Sequence, residues 1–237
     1  MSHPQPPLTP AERARVVIVI PALNEAGSIG AVLQRLPPGV AVFVVDNGST
    51  DATAHLAVEA GATVISEPRR GYGRAVQAGI AAAAARFPAD QALVILDADC
   101  ADDPDLLPAL VRPLLADEAD FVLTDRTRDA EPGALLPHQR AGNRLATTLI
   151  RWQSGHRYAD MGPFRALRLG ALVNLGLRDP TFGWNVEMQL RAVQAGLRIR
   201  EVRAPYRPRV GQSKISGTLR GSVAAGAKIL WSVWRYR

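Results

Sequence analysis

The chain has 237 residues, 47% of them hydrophobic and 21% charged, which suits one domain with a full apolar core and excludes a disordered or fibrous polymer. No segment reaches the roughly 18 consecutive apolar residues of a spanning helix. A net charge of +6 points to phosphates or an anionic surface as partners, and the lone Cys100 excludes an internal disulfide and fits a reducing compartment.

In chain order, residues 1–14 are Pro-rich and polar, unlike a signal peptide, and are expected to be a disordered leader. Val16 to Ile20 is a β-branched run that reads as a buried first strand. Asn24 can cap a helix running to about Leu36, where Pro37-Pro38-Gly39 stops it. Val40 to Val45 reads as a second strand, Thr53 to Ala60 as a helix capped by Ser49 or Asp51, and Ala62 to Ser66 as a third strand. An alanine-rich helix follows over Arg74 to Phe87, then a fourth strand over Leu93 to Leu96. Asp103 and Pro104 suit the start of a helix to about Leu115, before a fifth strand at Phe121 to Thr124. This alternation predicts an α/β fold, a mainly parallel sheet with helices on both faces. Beyond it, residues 126–140 read as a mobile basic loop, Leu145 to Trp152 and Trp184 to Ala195 as helices, and Ile199 to Val202 as a strand. Leu219 to Arg237 reads as a basic helix carrying Trp231 and Trp234. The expected organisation is thus a leader at 1–14, one domain at 15–218 with a nucleotide half (15–125) and an acceptor half (126–218), and a terminal helix at 219–237.

The strongest chemical signal is Asp97-Ala98-Asp99, ending the apolar run Ala92 to Leu96. In an open α/β sheet the carboxyl ends of the strands are where ligands bind. Two carboxylates one residue apart can hold Mg²⁺ or Mn²⁺ and leave positions for phosphate oxygens. Helix capping is the competing role, but Asp102 and Asp103 are available for that. Asp46, in Asp46-Asn47-Gly48-Ser49-Thr50-Asp51, ends the second strand and can either accept from a nucleobase N–H or bond its own turn. Pro21-Ala22-Leu23-Asn24-Glu25 turns the chain after the first strand and reads as a cap or as a polar rim. Arg69-Arg70-Gly71-Tyr72-Gly73-Arg74 is a phosphate cradle or a flexible loop; it is no dinucleotide fingerprint, since Val76 stands at the third glycine position. Asp160 and Arg165 flank a Gly-Pro turn, and Glu187 sits among apolar neighbours; each acid reads as a proton acceptor or as half of a structural ion pair. Arg207 to Lys214 suits a diphosphate or a phosphorylated acceptor, or is a solvated loop.

Taken in order, Pro21-Ala22-Leu23-Asn24-Glu25, Asp46 through Asp51, Arg70-Gly71-Tyr72-Gly73, Asp97-Ala98-Asp99, Asp160 through Arg165, Glu187 and Arg209-x-Gly211-x-Ser213-Lys214 resemble the motifs of family 2 glycosyltransferases. The closest branch is that of dolichol-phosphate mannosyltransferases and polyprenyl-phosphate glucosyltransferases, and the resemblance runs from Val16 to about Thr218. It implies a GT-A fold with a Rossmann-like sheet, a UDP- or GDP-linked sugar donor, Mg²⁺ or Mn²⁺, and inversion at the anomeric carbon. It places Pro21, Asn24, Glu25 and Asp46 at the nucleoside, with Arg70 and Gly71 beside the nucleotide sugar. It makes Asp97 and Asp99 the metal ligands, and puts Arg126, Arg165, Arg209, Ser213 and Lys214 near the acceptor and the phosphates. A polyprenyl phosphate is the implied acceptor and needs no base. A hydroxyl acceptor would need one, with Asp160 the first candidate and Glu187 the second.

Three departures stand out. Relatives often carry Gln where Ala101 stands, so water is expected in the place of a third protein ligand; many carry a second aspartate where Asn47 stands; and membrane-bound relatives continue into transmembrane helices. The expected location is cytoplasmic, with the terminal helix either resting on the inner membrane face or packed on the globule. A sugar-phosphate nucleotidyltransferase would need a Gly-rich, Lys-bearing loop after the first strand, which this chain lacks. A non-catalytic nucleotide-sugar-binding protein is the alternative to a transferase. Nucleic acid is not expected, because the basic residues lie in loops rather than on a reading helix.

Overall fold

The structure, a computed structural model, describes residues 5–210 together with 231, 234 and 235. Seven strands form one sheet: β1 (Val16–Ala22), β2 (Ala41–Asp46), β3 (Thr63–Ser66), β4 (Ala92–Ile95), β5 (Phe121–Asp125), β6 (Arg165–Arg168) and β7 (Ile199–Arg203), in the spatial order β3-β2-β1-β4-β6-β5-β7. All neighbouring pairs are parallel except those made by β6, which runs antiparallel to both β4 and β5. The expected mainly parallel α/β sheet is therefore present.

Eight α-helices accompany it among the described residues: α1 (Pro10–Ala14), α2 (Ile29–Gln34), α3 (Thr53–Glu59), α4 (Tyr72–Ala84), α5 (Leu107–Leu115), α6 (Pro137–Ser154), α7 (Leu169–Asn174) and α8 (Trp184–Gln194). Successive strand residues face opposite sides, so each central strand feeds two cores. Val17, Val19, Leu93 and Ile95 pack on one side with residues of α4, α7 and α8. Ile18, Ile20 and Val94 pack on the other with residues of α2 and α5. Burial on both faces is why these strands read as unbroken apolar runs.

Four local expectations are corrected. Residues 5–14 are ordered: Thr9 and Glu12 form a reciprocal capping box around α1, Leu8 is buried, and Arg112 Nε donates to Glu12 Oε1 at 2.9 Å. Thr9-Pro10-Ala11-Glu12 is a helix-start pattern that overrides the polar composition. Asn24 caps no helix; it has φ 52°, and its Oδ1 accepts from Thr50 N at 2.7 Å, while α2 begins only at Ile29. The loop expected through residue 140 ends earlier, because Pro137 opens α6 and Gly155, at φ 75°, closes it. Asp102 is not a cap either; that part falls to Asp103, whose side chain accepts from Asp105 N. β6 and α7 were not expected at all, since the arginines at both ends of β6 disguise a buried strand.

The topology gathers the chemistry at one edge. β1, β2, β4 and β5 run the same way, so the segments after them emerge together. β6 runs against them and begins at Arg165 opposite Ile95, which brings residues 160–164 to that edge. β7 runs with β5 and delivers residues 204–210 there as well. Ser213, Lys214 and residues 211–218, and the helix expected at 219–237 apart from the exposed Trp231, Trp234 and Arg235, lie outside the described residues.

Candidate functional site

Asp97 and Asp99 follow β4 directly, held by the segment that follows β7. Arg209 Nη1 lies 3.2 Å from Asp99 Oδ2, and Val210 N donates to the Asp99 carbonyl at 2.9 Å. The other Asp99 oxygen accepts from Ala101 N at 3.1 Å. Burial raises the Asp97 carboxyl to about 6, with the Asp99 charge adding and the Arg209, Arg165 and Arg126 guanidinium groups opposing. Asp102 lies three residues on, 3% exposed, with neither carboxylate oxygen hydrogen-bonded among the described residues. Burial holds it well above the usual carboxylate range despite Arg126, and Asp97 and Asp99 push the same way. Clustered carboxyls held up by burial and by one another are the electrostatic form of a cation site awaiting charge. Among the described residues no three His, Cys, Asp or Glu side chains converge into a closed cage. Two hard oxygen donors with open positions suit Mg²⁺ or Mn²⁺ shared with phosphate oxygens, so the donor set fits the implied metal.

On the side of β1 and β2, the loops lock together through side chains. Asn24 N donates to Ser49 Oγ at 2.9 Å, Glu25 N to Thr53 Oγ1 at 2.8 Å, and Ser28 Oγ to Glu25 Oε2 at 2.9 Å. Asp46 ends β2 opposite Ala22 and accepts from Ser49 N at 3.2 Å, its turn-bonding role. Pro21 stays inside β1, opposite Val45. Asn47 uses its whole amide: Nδ2 donates to the Glu67 carbonyl at 2.8 Å and to the Arg69 carbonyl at 2.9 Å, and Oδ1 accepts from Gly71 N at 2.7 Å. Arg70 is exposed on the same loop. Gly71 takes φ 147°, and a Cβ there would lie 2.2 Å from the Pro180 carbonyl oxygen; one on Gly73 would lie 2.0 Å from that of Asp179. The glycines thus let α4 start against the loop at 179–181, where Arg74 N donates to the Pro180 carbonyl at 3.1 Å.

Glu187 holds that loop from beneath. Its Oε2 accepts from Asp179 N at 2.7 Å and Arg178 N at 2.9 Å, and its Oε1 lies 3.0 Å from Arg191 Nε. It is fully buried.

On the β5 and β6 side, Asp160 and Arg126 form a buried bidentate pair, Nε to Oδ2 at 2.7 Å and Nη2 to Oδ1 at 3.0 Å. Burial alone would raise the Asp160 carboxyl, but Arg126 holds it below its usual value. Arg126 also lies 4.7 Å above the Tyr206 ring. Arg165 is fully buried and spends its guanidinium on backbone, including the Met161 carbonyl at 3.0 Å and the Gly162 carbonyl. Outside this pair opens a cleft of about 810 Å³ in which Arg126, Arg140, Arg144, Arg209 and His138 alternate with apolar Leu145 and Met161.

The structure therefore brings Asp97, Asp99, Arg126, Arg165 and Arg209 into one electrostatic neighbourhood, with Asn24, Glu25, Asp46 and Gly71 on the adjoining loops of the same edge. Asp102 and Asn47 were missed as site residues. The run Asp97-Ala98-Asp99-Cys100-Ala101-Asp102 held the first signal, obscured by the helix start beside it; Asn47 stands out in the sequence only as a departure, in the place where many relatives carry an aspartate.

The family model described as Glycosyl transferase family 2 matches residues 17–176. A protein named an uncharacterized glycosyltransferase in Mycobacterium tuberculosis is 41% identical over 215 residues, spanning 89% of this chain and 94% of its own. The dolichyl-phosphate hexose transferase of Haloferax volcanii is 33% identical over 220 residues, spanning 91% of this chain and 92% of its own. The undecaprenyl-phosphate mannosyltransferase of Micrococcus luteus is 30% identical over 231 residues, spanning 87% and 90%. Among solved structures, glucosyl-3-phosphoglycerate synthase from M. tuberculosis, in complex with Mn²⁺, UDP and phosphoglyceric acid, superposes with a TM-score of 0.76 at 22% identity, over 98% of this chain and 84% of that one. That likeness identifies the fold as GT-A.

Proposed function

Because the chain belongs to glycosyl transferase family 2, we propose that it is a metal-dependent, inverting glycosyltransferase that moves a sugar from a UDP- or GDP-linked donor to a phosphate-bearing acceptor, with polyprenyl phosphate the favoured candidate. The observation that carries the reading is the Asp97 and Asp99 pair at the carboxyl edge of the sheet, beside a cleft lined by arginines. The names of two relatives, which act on dolichyl and undecaprenyl phosphates, support the acceptor class.

Asp97 and Asp99 would hold the divalent cation, which as a Lewis acid offsets charge growing on the leaving diphosphate. Asn24, Glu25, Asp46 and the Arg70-Gly71 turn would receive the nucleoside end of the donor. Arg209 sits on Asp99 in this structure; with a cation in place its guanidinium would turn to a phosphate oxygen. Arg126 is anchored by Asp160, so it offers a fixed positive charge without the entropy cost of ordering a long side chain.

The same anchoring argues against Asp160 as a general base, since a carboxylate held low and doubly bonded by Arg126 is a poor proton acceptor at neutral pH. Glu187 is occupied by two amides and Arg191. A phosphate acceptor is already anionic and needs neither. Both acids are then positioning residues, Asp160 for Arg126 and Glu187 for the loop at 178–179.

The test is transfer from labelled UDP- and GDP-sugars to polyprenyl phosphate with Mn²⁺. Asp99→Asn is expected to lose about 10²–10³ in kcat with the fold intact by circular dichroism. Undiminished turnover in excess chelator would overturn the metal role. Transfer to hydroxyl acceptors alone would overturn the acceptor class.

A further inference from the structure

Among the described acids, only Asp102 has both carboxylate oxygens buried and without a hydrogen-bond partner. Native proteins rarely leave such a group unexplained. The start of α5 does not explain it, because Asp103 makes the capping bond, accepting from Asp105 N at 3.3 Å. Arg126 spends its Nε and Nη2 on Asp160, and no hydrogen bond reaches either Asp102 oxygen among the described residues. Asp102 stands three residues after Asp99, and its buried carboxyl lies within the fields of Arg126, Asp97, Asp99 and Asp160. The strand of chain at 207–210 closes over this stretch, with Arg207 N on the Ala101 carbonyl and Val210 N on the Asp99 carbonyl, both at 2.9 Å. Ala101, buried between the acids, supplies no side-chain ligand. Among the described residues no third acid joins Asp97 and Asp99 in a closed cage, so a role for Asp102 at the ion would be an indirect one.

We infer that Asp102 is a positioning residue for the divalent cation, holding a water that in turn ligates the metal between Asp97 and Asp99. This rests on the metal reading of those two residues. Groups that orient a ligand from outside the coordination sphere typically govern affinity by about 10–100-fold. The arrangement explains a buried acid that the metal-free fold does not satisfy, because its partner arrives with the ion.

The test is Mn²⁺ binding by electron paramagnetic resonance on the full chain, with the ion alone and with UDP or GDP present, for wild type, Asp102→Asn, Asp102→Glu and Asp99→Asn. Asp102→Asn is expected to weaken Mn²⁺ binding about 10–100-fold, while the metal-free thermal midpoint stays level or rises, because the variant removes a buried acid whose oxygens have no hydrogen-bond partner among the described residues. Asp102→Glu, keeping the carboxylate, is expected to recover part of the affinity. Wild-type affinity in Asp102→Asn beside weakened binding in Asp99→Asn overturns the inference and leaves the metal reading standing. A metal-free midpoint that falls in Asp102→Asn marks an acid needed for folding and also overturns it. Equal binding by wild type and Asp99→Asn removes the metal reading, and this inference with it.

Discussion

Asn47 and Asp160 show how single side chains set the site. An amide can donate to two carbonyls and accept from Gly71 N at once; a carboxylate cannot donate. Asn47→Asp is therefore expected to set a charge against the Glu67 and Arg69 carbonyls and to cost about 1–3 kcal/mol, read as a lower urea midpoint with unchanged m-value. Asp160→Ala would leave the Arg126 guanidinium buried and unpaired, at a cost of about 3–5 kcal/mol. The pH dependence follows from the direction of the Asp160 shift. Its carboxyl is held below 3.8 in the folded protein, so the stability it contributes is fully present above that value and is lost as the pH falls through the lower folded value. A urea midpoint followed from neutral pH down to acid should show this loss in wild type and a smaller one in Asp160→Asn.

At the scale of elements, close approach and tethering matter more than propensity. A methyl group on Gly73 would meet the Asp179 carbonyl at 2.0 Å, and that loop is held by Glu187. Gly73→Ala is expected to push α4 from the loop and cost about 1–3 kcal/mol, with a larger fractional loss of donor binding than Gly30→Ala, where a Cβ meets nothing. α1 is tied by Glu12, which Arg112 holds down to about 2. Its tether should persist above the ordinary value of 4.5 and loosen as the pH falls toward 2, and Arg112→Ala should expose residues 5–14 to protease at neutral pH. These elements also show what was legible. β1, β2 and β4 could be read because burial on both faces leaves continuous apolar runs, and Asp97 and Asp99 because acids ending such a run have no structural duty. β6 could not, because Arg165 spends its charge on backbone carbonyls that only the folded chain supplies. Asp102 and the threefold bonding of Asn47 depend on segments 207–210 and 67–71 folding back, which no local pattern encodes.

For the whole molecule, the cores are apolar while the ligand edge is charged, so salt should separate stability from binding. Raising ionic strength from about 0.1 to about 1 M shortens the Debye length from about 10 to about 3 Å. KM for an anionic acceptor should rise while the thermal midpoint moves little; an unchanged KM would show that the arginine cleft plays no part in acceptor capture. The out-of-order strand has a different consequence. β6 arrives some forty residues after β5 yet must be inserted between β5 and β4. While the chain leaves the ribosome, the wholly apolar Ala92–Ile95 strand therefore keeps an open flank until Arg165–Arg168 emerges, and β5 waits with nothing to pair against. Open flanks of this kind recruit other chains. A nascent fragment stopped short of residue 165 should self-associate or bind chaperones, and release should coincide with emergence of that late, arginine-ended strand.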